Sequence, residues 1–225
     1  MKIQKSGYYD ITNNEELIEI EDNIHVTLFD EGENIKKIIV GKGVSLFFLG
    51  YSFLPSFDKH IFIGQEGSEV KVKILNFSKN INCNIQIFGD MQASYSSFSL
   101  DIYSLLAGEG RLDINAFAKI DKKREKSKIS LLQKNIFLHD SASFSGVPRL
   151  CVESLDVEAH HACQIEKINK EKIFYLRSRG IPKRKAFCMI IEAYIENIFA
   201  HLKEKNSEKY EEIFREIMKH LDFNS

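Results

Sequence analysis

Between about residue 24 and residue 160 the apolar positions recur at every second residue. The segment EVKVKIL sets Val70, Val72 and Ile74 against Glu69, Lys71 and Lys73. INCNIQIF sets Ile81, Cys83, Ile85 and Ile87 against Asn82, Asn84 and Gln86, and RLDINAFAKI repeats the scheme with Leu112, Ile114, Ala116 and Ala118. Successive side chains of a strand point to opposite faces, so this alternation predicts strands with one buried and one wetted face. The interruptions, among them DEGEN, GKG, GQEGS and AGEG, carry turn chemistry. Proline is nearly absent from the strand runs, as ladder hydrogen bonding requires. Short strands at near-regular spacing predict a sandwich, a barrel or a β-solenoid. Periodicity does not separate these, and no strict repeat singles out the solenoid.

The last third of the chain changes period. Asn169 is placed to cap a short helix, KEKIFYLRSR, which Gly180 stops. Pro182 suits the first turn of a second helix, with apolar residues at 187, 190, 191, 194, 195, 198 and 202. Ser207 is placed to cap a third, EKYEEIFREIMKHL, whose apolar positions 210, 213, 214, 217, 218 and 221 form one stripe. The expected organisation is a β core over residues 1–165 and a helical domain over residues 166–225. The stripe must bury itself against the β core, a neighbouring helix or a partner.

Composition narrows the class. An apolar fraction of 44% and a charged fraction of 28% are those of an ordinary globular protein, and 225 residues can bury a core without disulfides. A net charge of −1 gives no general attraction to nucleic acid or anionic lipid. The start, MKIQKSGYYDITNNEE, has no apolar signal-peptide core. The strongest apolar run, VSLFFLGYSFL, is shorter than the roughly 18 residues of a membrane span. Four cysteines without a C-x-x-C pair fit reduced thiols. A cytoplasmic location, with neither nucleic acid nor membrane as partner, is expected.

Cys151, His160, His161 and Cys163 are the densest group of soft ligands. Thiolate and imidazole suit zinc, copper(I) or iron–sulfur species, and on a strand His161 and Cys163 share a face. The spacing fits no closed zinc-finger pattern, so ordinary packing of buried thiols stands beside the ligand reading. The basic run KIDKKREKSK, residues 119–128, reads as a hairpin tip or loop. It lacks the interleaved aromatics of a nucleic-acid site. Arg177 and Arg179 complement the dipole of the helix they end. Phosphate-binding glycine loops, a nucleophile elbow and H-E-x-x-H are all absent, and no catalytic triad is identifiable. A non-enzyme is therefore expected, ahead of a β-fold metal-dependent enzyme built on the four soft ligands.

The segment PRLCVESLDVEAHHACQIEKINKEKIFYLRSRGI resembles the end of the core domain of the SufB/SufD family, scaffold subunits of SUF iron–sulfur cluster assembly. Pro148, Leu150 and Val152 match one family strand, Asp156 and Val157 the next, His161 the family histidine, and residues 174–181 the run FYLRSRGI. The likeness is SufD-leaning and covers about residues 144–200. It implies a right-handed parallel β-helix core followed by a small C-terminal α-helical domain. It also implies a scaffold that binds a SufC-like ABC ATPase through the helices, with Phe174, Tyr175, Arg177, Arg179 and Gly180 as the partner-binding set and the apolar stripe of the terminal helices available for docking. The β-helix edge would pair with a second subunit, as a homodimer or a heterodimer with a SufB-like chain. A transient iron–sulfur cluster would be held by His161, with Cys151, Cys163 and His160 next. Family members are usually longer and carry an N-terminal helical segment. Ala162 stands where the family has Glu or Gly after the histidine, which keeps open a second reading, a structural interaction module without a metal site.

Overall fold

A computed structural model describes residues 1–14 and 16–221. Among the described residues, fifteen strands build two parallel sheets that the chain visits alternately. One contains β1 (Lys2–Ile3), β3 (Leu17–Ile20), β5 (Lys36–Val40), β7 (Ser56–Ile63), β9 (Asn82–Met91) and β11 (Arg111–Ile120), with β13 (Ser143–Ser145) and β14 (Arg149–Val152) both paired to β11. The other contains β2 (Gly7–Asp10), β4 (His25–Asp30), β6 (Ser45–Ser52), β8 (Glu69–Lys79), β10 (Ser97–Ala107), β12 (Glu125–Phe137) and β15 (Asp156–Lys167). This is a parallel β-solenoid. The run at 119–128 is thus no hairpin: it ends β11, turns, and enters β12 of the opposite sheet.

The alternation has a simple cause. Residues of one parity point into the lumen, where Ile38, Ile61, Val72, Ile85, Leu100 and Ile114 stack into one apolar core. Coils lengthen along the chain, so no fixed repeat is visible. Ser6 meets His25 at a separation of 19 residues, whereas Ser96 meets Ser127 at a separation of 31. Buried serines stitch successive corners. The Ser68 amide donates to Ser96 Oγ (3.2 Å), and the Ser96 amide to Ser127 Oγ (3.4 Å), which satisfies groups that burial would otherwise orphan.

Helices α1 (Lys170–Ser178), α2 (Lys183–Lys205) and α3 (Ser207–His220) follow. Asn169 caps α1, accepting from the Lys172 amide at 3.0 Å. Gly180, at φ +82°, ends it: the Gly180 amide donates to the Arg177 carbonyl and the Ile181 amide to that of Leu176. This pair of bonds is the Schellman stop. Pro182 lies at the N-cap of α2 rather than inside its first turn. The cap of α3 is Asn206, accepting from the Lys209 amide at 3.0 Å, and Ser207 is the first helical residue.

A second core lies outside the solenoid. Leu49, Leu75, Phe77, Leu105 and Ile136, from the outer face of the second sheet, pack against Ile191, Ile195, Ile198 and Phe199 of α2 and Ile213 and Ile217 of α3. The α3 stripe expected to be open for docking is therefore buried within the chain, because the outer faces of β6, β8, β10 and β12 are apolar at their C-terminal ends. Among the described residues, no helix is long and apolar enough to cross a membrane.

His201 of α2 latches this layer to the sheet. Its Nε2 lies 3.0 Å from Thr27 Oγ1, and its ring stacks on Phe47 at 4.3 Å. Burial, then the charge of Lys205, hold its pKa below the usual 6.5, against an opposing pull from Glu204. A depressed imidazole contributes stability above its unfolded pKa and loses it as pH falls through the folded value. Chemical denaturation should show a smaller loss between pH 7.5 and pH 5 for His201→Gln than for the wild type. Equal losses would remove His201 from the pH response.

Candidate functional site at the open end of the solenoid

Strand β15 closes the second sheet. Among the described residues it pairs with β12 alone. Its register continues the lumen columns of earlier coils: His161 aligns with Leu131, Cys163 with Gln133 and Ile165 with Asn135. Neighbours across a parallel ladder point to the same side, so His161, Cys163 and Ile165 face the lumen. Two coils earlier the Cys163 column is occupied by Ile102, fully buried. At β15 the column emerges into solvent, because the facing coil is reduced to the short strands β13 and β14. Ile165 is 63% exposed, and His161 and Cys163 are exposed as well.

Beneath this strand polar groups occupy lumen positions of β12. Gln133 and Asn135 are buried. Neither amide atom of Gln133 has a hydrogen-bond partner, nor has Asn135 Oδ1, while Asn135 Nδ2 lies 3.9 Å from Cys163 Sγ. Their signal in the sequence is plain in retrospect: in ISLLQKNIF they hold the parity of Ile129 and Leu131. Desolvation raises the Cys163 thiol pKa, so without a metal it is a protonated thiol at neutral pH. Metal ligation takes the thiolate.

The four soft ligands do not converge. His160 has the opposite parity to His161 and sits outside, beside Ser130 and Lys128. Cys151 aligns with Lys119 on β11, between the inward-facing partners of Leu150 and Val152. It therefore faces outward from the other sheet. Among the described residues no three His, Cys, Asp or Glu side chains gather into a metal-binding group. His161 and Cys163 alone form a same-side pair, two ligands of the four that a closed tetrahedral site takes.

The expected partner-binding residues lie beyond β15. No residue of α1 is buried. Phe174 is 73% and Tyr175 54% exposed, and the Arg179 guanidinium lies 4.8 Å from the Tyr175 ring centroid. Arg177 lines a groove between α1 and α2.

Residues 56–194 match the family model described as SUF system FeS cluster assembly, SufBD core domain. The match spans more than half of the chain, from β7 into α2, and so includes β15 and α1. The chain belongs to the SufBD family. It is 28% identical over 102 residues to the iron–sulfur cluster assembly protein SufD of Escherichia coli, covering 45% of this chain and 24% of that protein. It is 33% identical over 89 residues to SufD of Plasmodium falciparum, covering 39% and 6%. SufD of Bacillus subtilis is 24% identical over 139 residues, covering 62% and 28%. The chain thus aligns with less than a third of the length of each of these relatives.

Proposed function

We propose that this SufBD-family chain is a non-catalytic, cytoplasmic scaffold subunit of a SUF-type iron–sulfur cluster assembly complex. Its helical unit docks a SufC-like ABC ATPase, and the open end of its solenoid pairs with a second scaffold subunit, either a copy of itself or a SufB-like chain. The observation that carries the reading is the uncovered β15, which lies inside the family-matched segment with His161 and Cys163 on its lumen side. An open strand edge with exposed apolar side chains is an aggregation hazard in a free protein, and a second subunit would cover it. That subunit would also complete a ligand set that this chain only half supplies. The nascent cluster is cargo here, with His161 and Cys163 as the facing ligands and Cys151 and His160 as outlying ones.

Ala162 and the outward placement of Cys151 favour a second reading, an interaction module without a metal site. One experiment separates the two. The chain is co-expressed with the SufC-like ATPase and the second scaffold subunit of the same genome, and the purified complex is reconstituted anaerobically with iron and sulfide. The scaffold reading expects a stable complex with visible cluster absorption, lowered severalfold by His161→Ala or Cys163→Ser while the complex persists. A complex whose cluster uptake ignores both substitutions supports the module reading. Failure to form any complex ends both.

A further inference from the structure

Two lumen columns of the second sheet end at the open strand, and each departs from its own pattern at β12. The first runs Gly50, Ile74, Ile102, Gln133, Cys163. It has no polar side chain until β12. The second runs Ser52, Asn76, Ser104, Asn135, Ile165, and its two asparagines turn opposite ways. Asn76 Nδ2 donates to the Ser52 carbonyl at 3.3 Å, one coil back, whereas Asn135 Nδ2 lies 3.9 Å from Cys163 Sγ, one coil forward. Gln133 is 1% and Asn135 0% exposed. Gln133 Nε2, Gln133 Oε1 and Asn135 Oδ1 have no partner within the protein. A buried polar group left unpaired costs about 1–3 kcal/mol, a cost that leucine or methionine would avoid at either position. Packing within the chain therefore does not explain the two amides.

We infer that Asn135 and Gln133 are positioning residues for the cargo cluster, their amide N–H groups donating to the Cys163 sulfur and to the cluster sulfide held against it. The inference deepens the scaffold reading and rests on it, since it takes Cys163 as a ligand. A thiol sulfur is a weak acceptor. A metal-bound thiolate or sulfide carries negative charge and takes N–H donors more strongly. Groups behind a ligand fix its orientation, and hydrogen bonds to cluster sulfurs favour the reduced state and so raise the potential. The chain keeps two costly amides for the sake of the bound cluster, at the expense of its own stability.

The test uses the full chain in complex with its second scaffold subunit, reconstituted anaerobically with iron and sulfide. Asn135→Leu and Gln133→Met should each shift the cluster's midpoint potential to more negative values and weaken its retention against a chelator about tenfold. The thermal midpoint of the metal-free chain should hold or rise in both, which a role in packing alone would not give. Ser104→Ala, in the Asn135 column one coil further in, should leave the potential unchanged. An unchanged potential in both variants overturns the inference and leaves the scaffold reading standing. So does a lowered thermal midpoint in both, which would show that the amides serve the lumen itself, or an equal shift of potential in Ser104→Ala. A wild-type complex that takes up no cluster fails the scaffold reading and takes the inference with it.

Discussion

Lys59→Met should destabilise the protein by about 3–5 kcal/mol at pH 7, the usual cost of breaking a buried ion pair by removing one partner. Lys59 Nζ and Asp30 Oδ2 are 3.2 Å apart inside the solenoid, and both side chains are fully buried. The contact is an ion pair without hydrogen-bond geometry, since Oδ2 has no hydrogen-bond donor, whereas Oδ1 accepts from the Gly32 amide at 2.9 Å. Lys59 Nζ also donates to the carbonyls of Gly32 and Asn34, each at 3.0 Å. One coil earlier, Lys36, aligned with Lys59, donates to the Asn14 carbonyl at 3.0 Å. The two ammonium groups therefore cap loop carbonyls on consecutive coils, and one carboxylate offsets their charge. Burial raises the Asp30 pKa and lowers that of Lys59, with each partner opposing the other's shift. Without Lys59 the Asp30 carboxylate loses its main counter-charge, and its folded pKa stays above the unfolded one. A raised carboxyl contributes stability below its unfolded pKa and loses it as pH rises through the folded value. The variant should therefore recover part of its loss between pH 7 and pH 5. Adding Asp30→Asn should recover more at pH 7, though not the two carbonyl contacts. Urea midpoints at both pH values decide it, and a loss under about 1 kcal/mol at pH 7 would show that the pair does not hold the corner.

Much of the fold was written in the alternation, and so was its main ambiguity. Alternation reports which side of a strand is dry, not which strand lies beside it. Here the neighbour is one coil away, at a distance that grows along the chain, so sandwich, barrel and solenoid shared one signature. The breaks in the alternation held more information than its regular parts. KILNF in β8 and YSLLA in β10 are buried at both parities, and that marks the C-terminal ends of these strands as covered on both faces, by the lumen on one side and helices on the other. The α3 stripe belongs to the same buried cluster as those positions. Joined, the two patterns select the β core and the neighbouring helix from the three surfaces open to the stripe. The site was legible in part for the same reason. His161 and Cys163 are two residues apart on one strand, so their common face follows from geometry. Cys151 depends on which sheet β14 joins, and the four-residue segment RLCV carries no mark of that choice.

Phe199→Ala should cost about 3–5 kcal/mol, the range for truncating a large buried aromatic, and the loss should spread into the solenoid. Phe199 is fully buried in the outer core, at a point where α2 leaves helical geometry (φ −107°, ψ 19°). It belongs to the apolar cluster that joins the helices to Leu75 and Phe77 of β8 and Leu105 of β10. If the helices formed a separately folding unit, the cavity would loosen them alone. Because the cluster draws on strands from β4 to β12, the outer core and several coils share the same buried surface, and opening one should expose the other. Hydrogen exchange resolved by peptide is the measurement. Exchange in β8 and β10 should quicken together with exchange in α2 and α3. Faster exchange confined to the helices would show that they open independently of the solenoid. The distinction bears on the proposed function: α2 touches β15 directly, Tyr194 Oη donating to Glu166 at 2.8 Å, and a shared outer core would extend that coupling to the coils beneath.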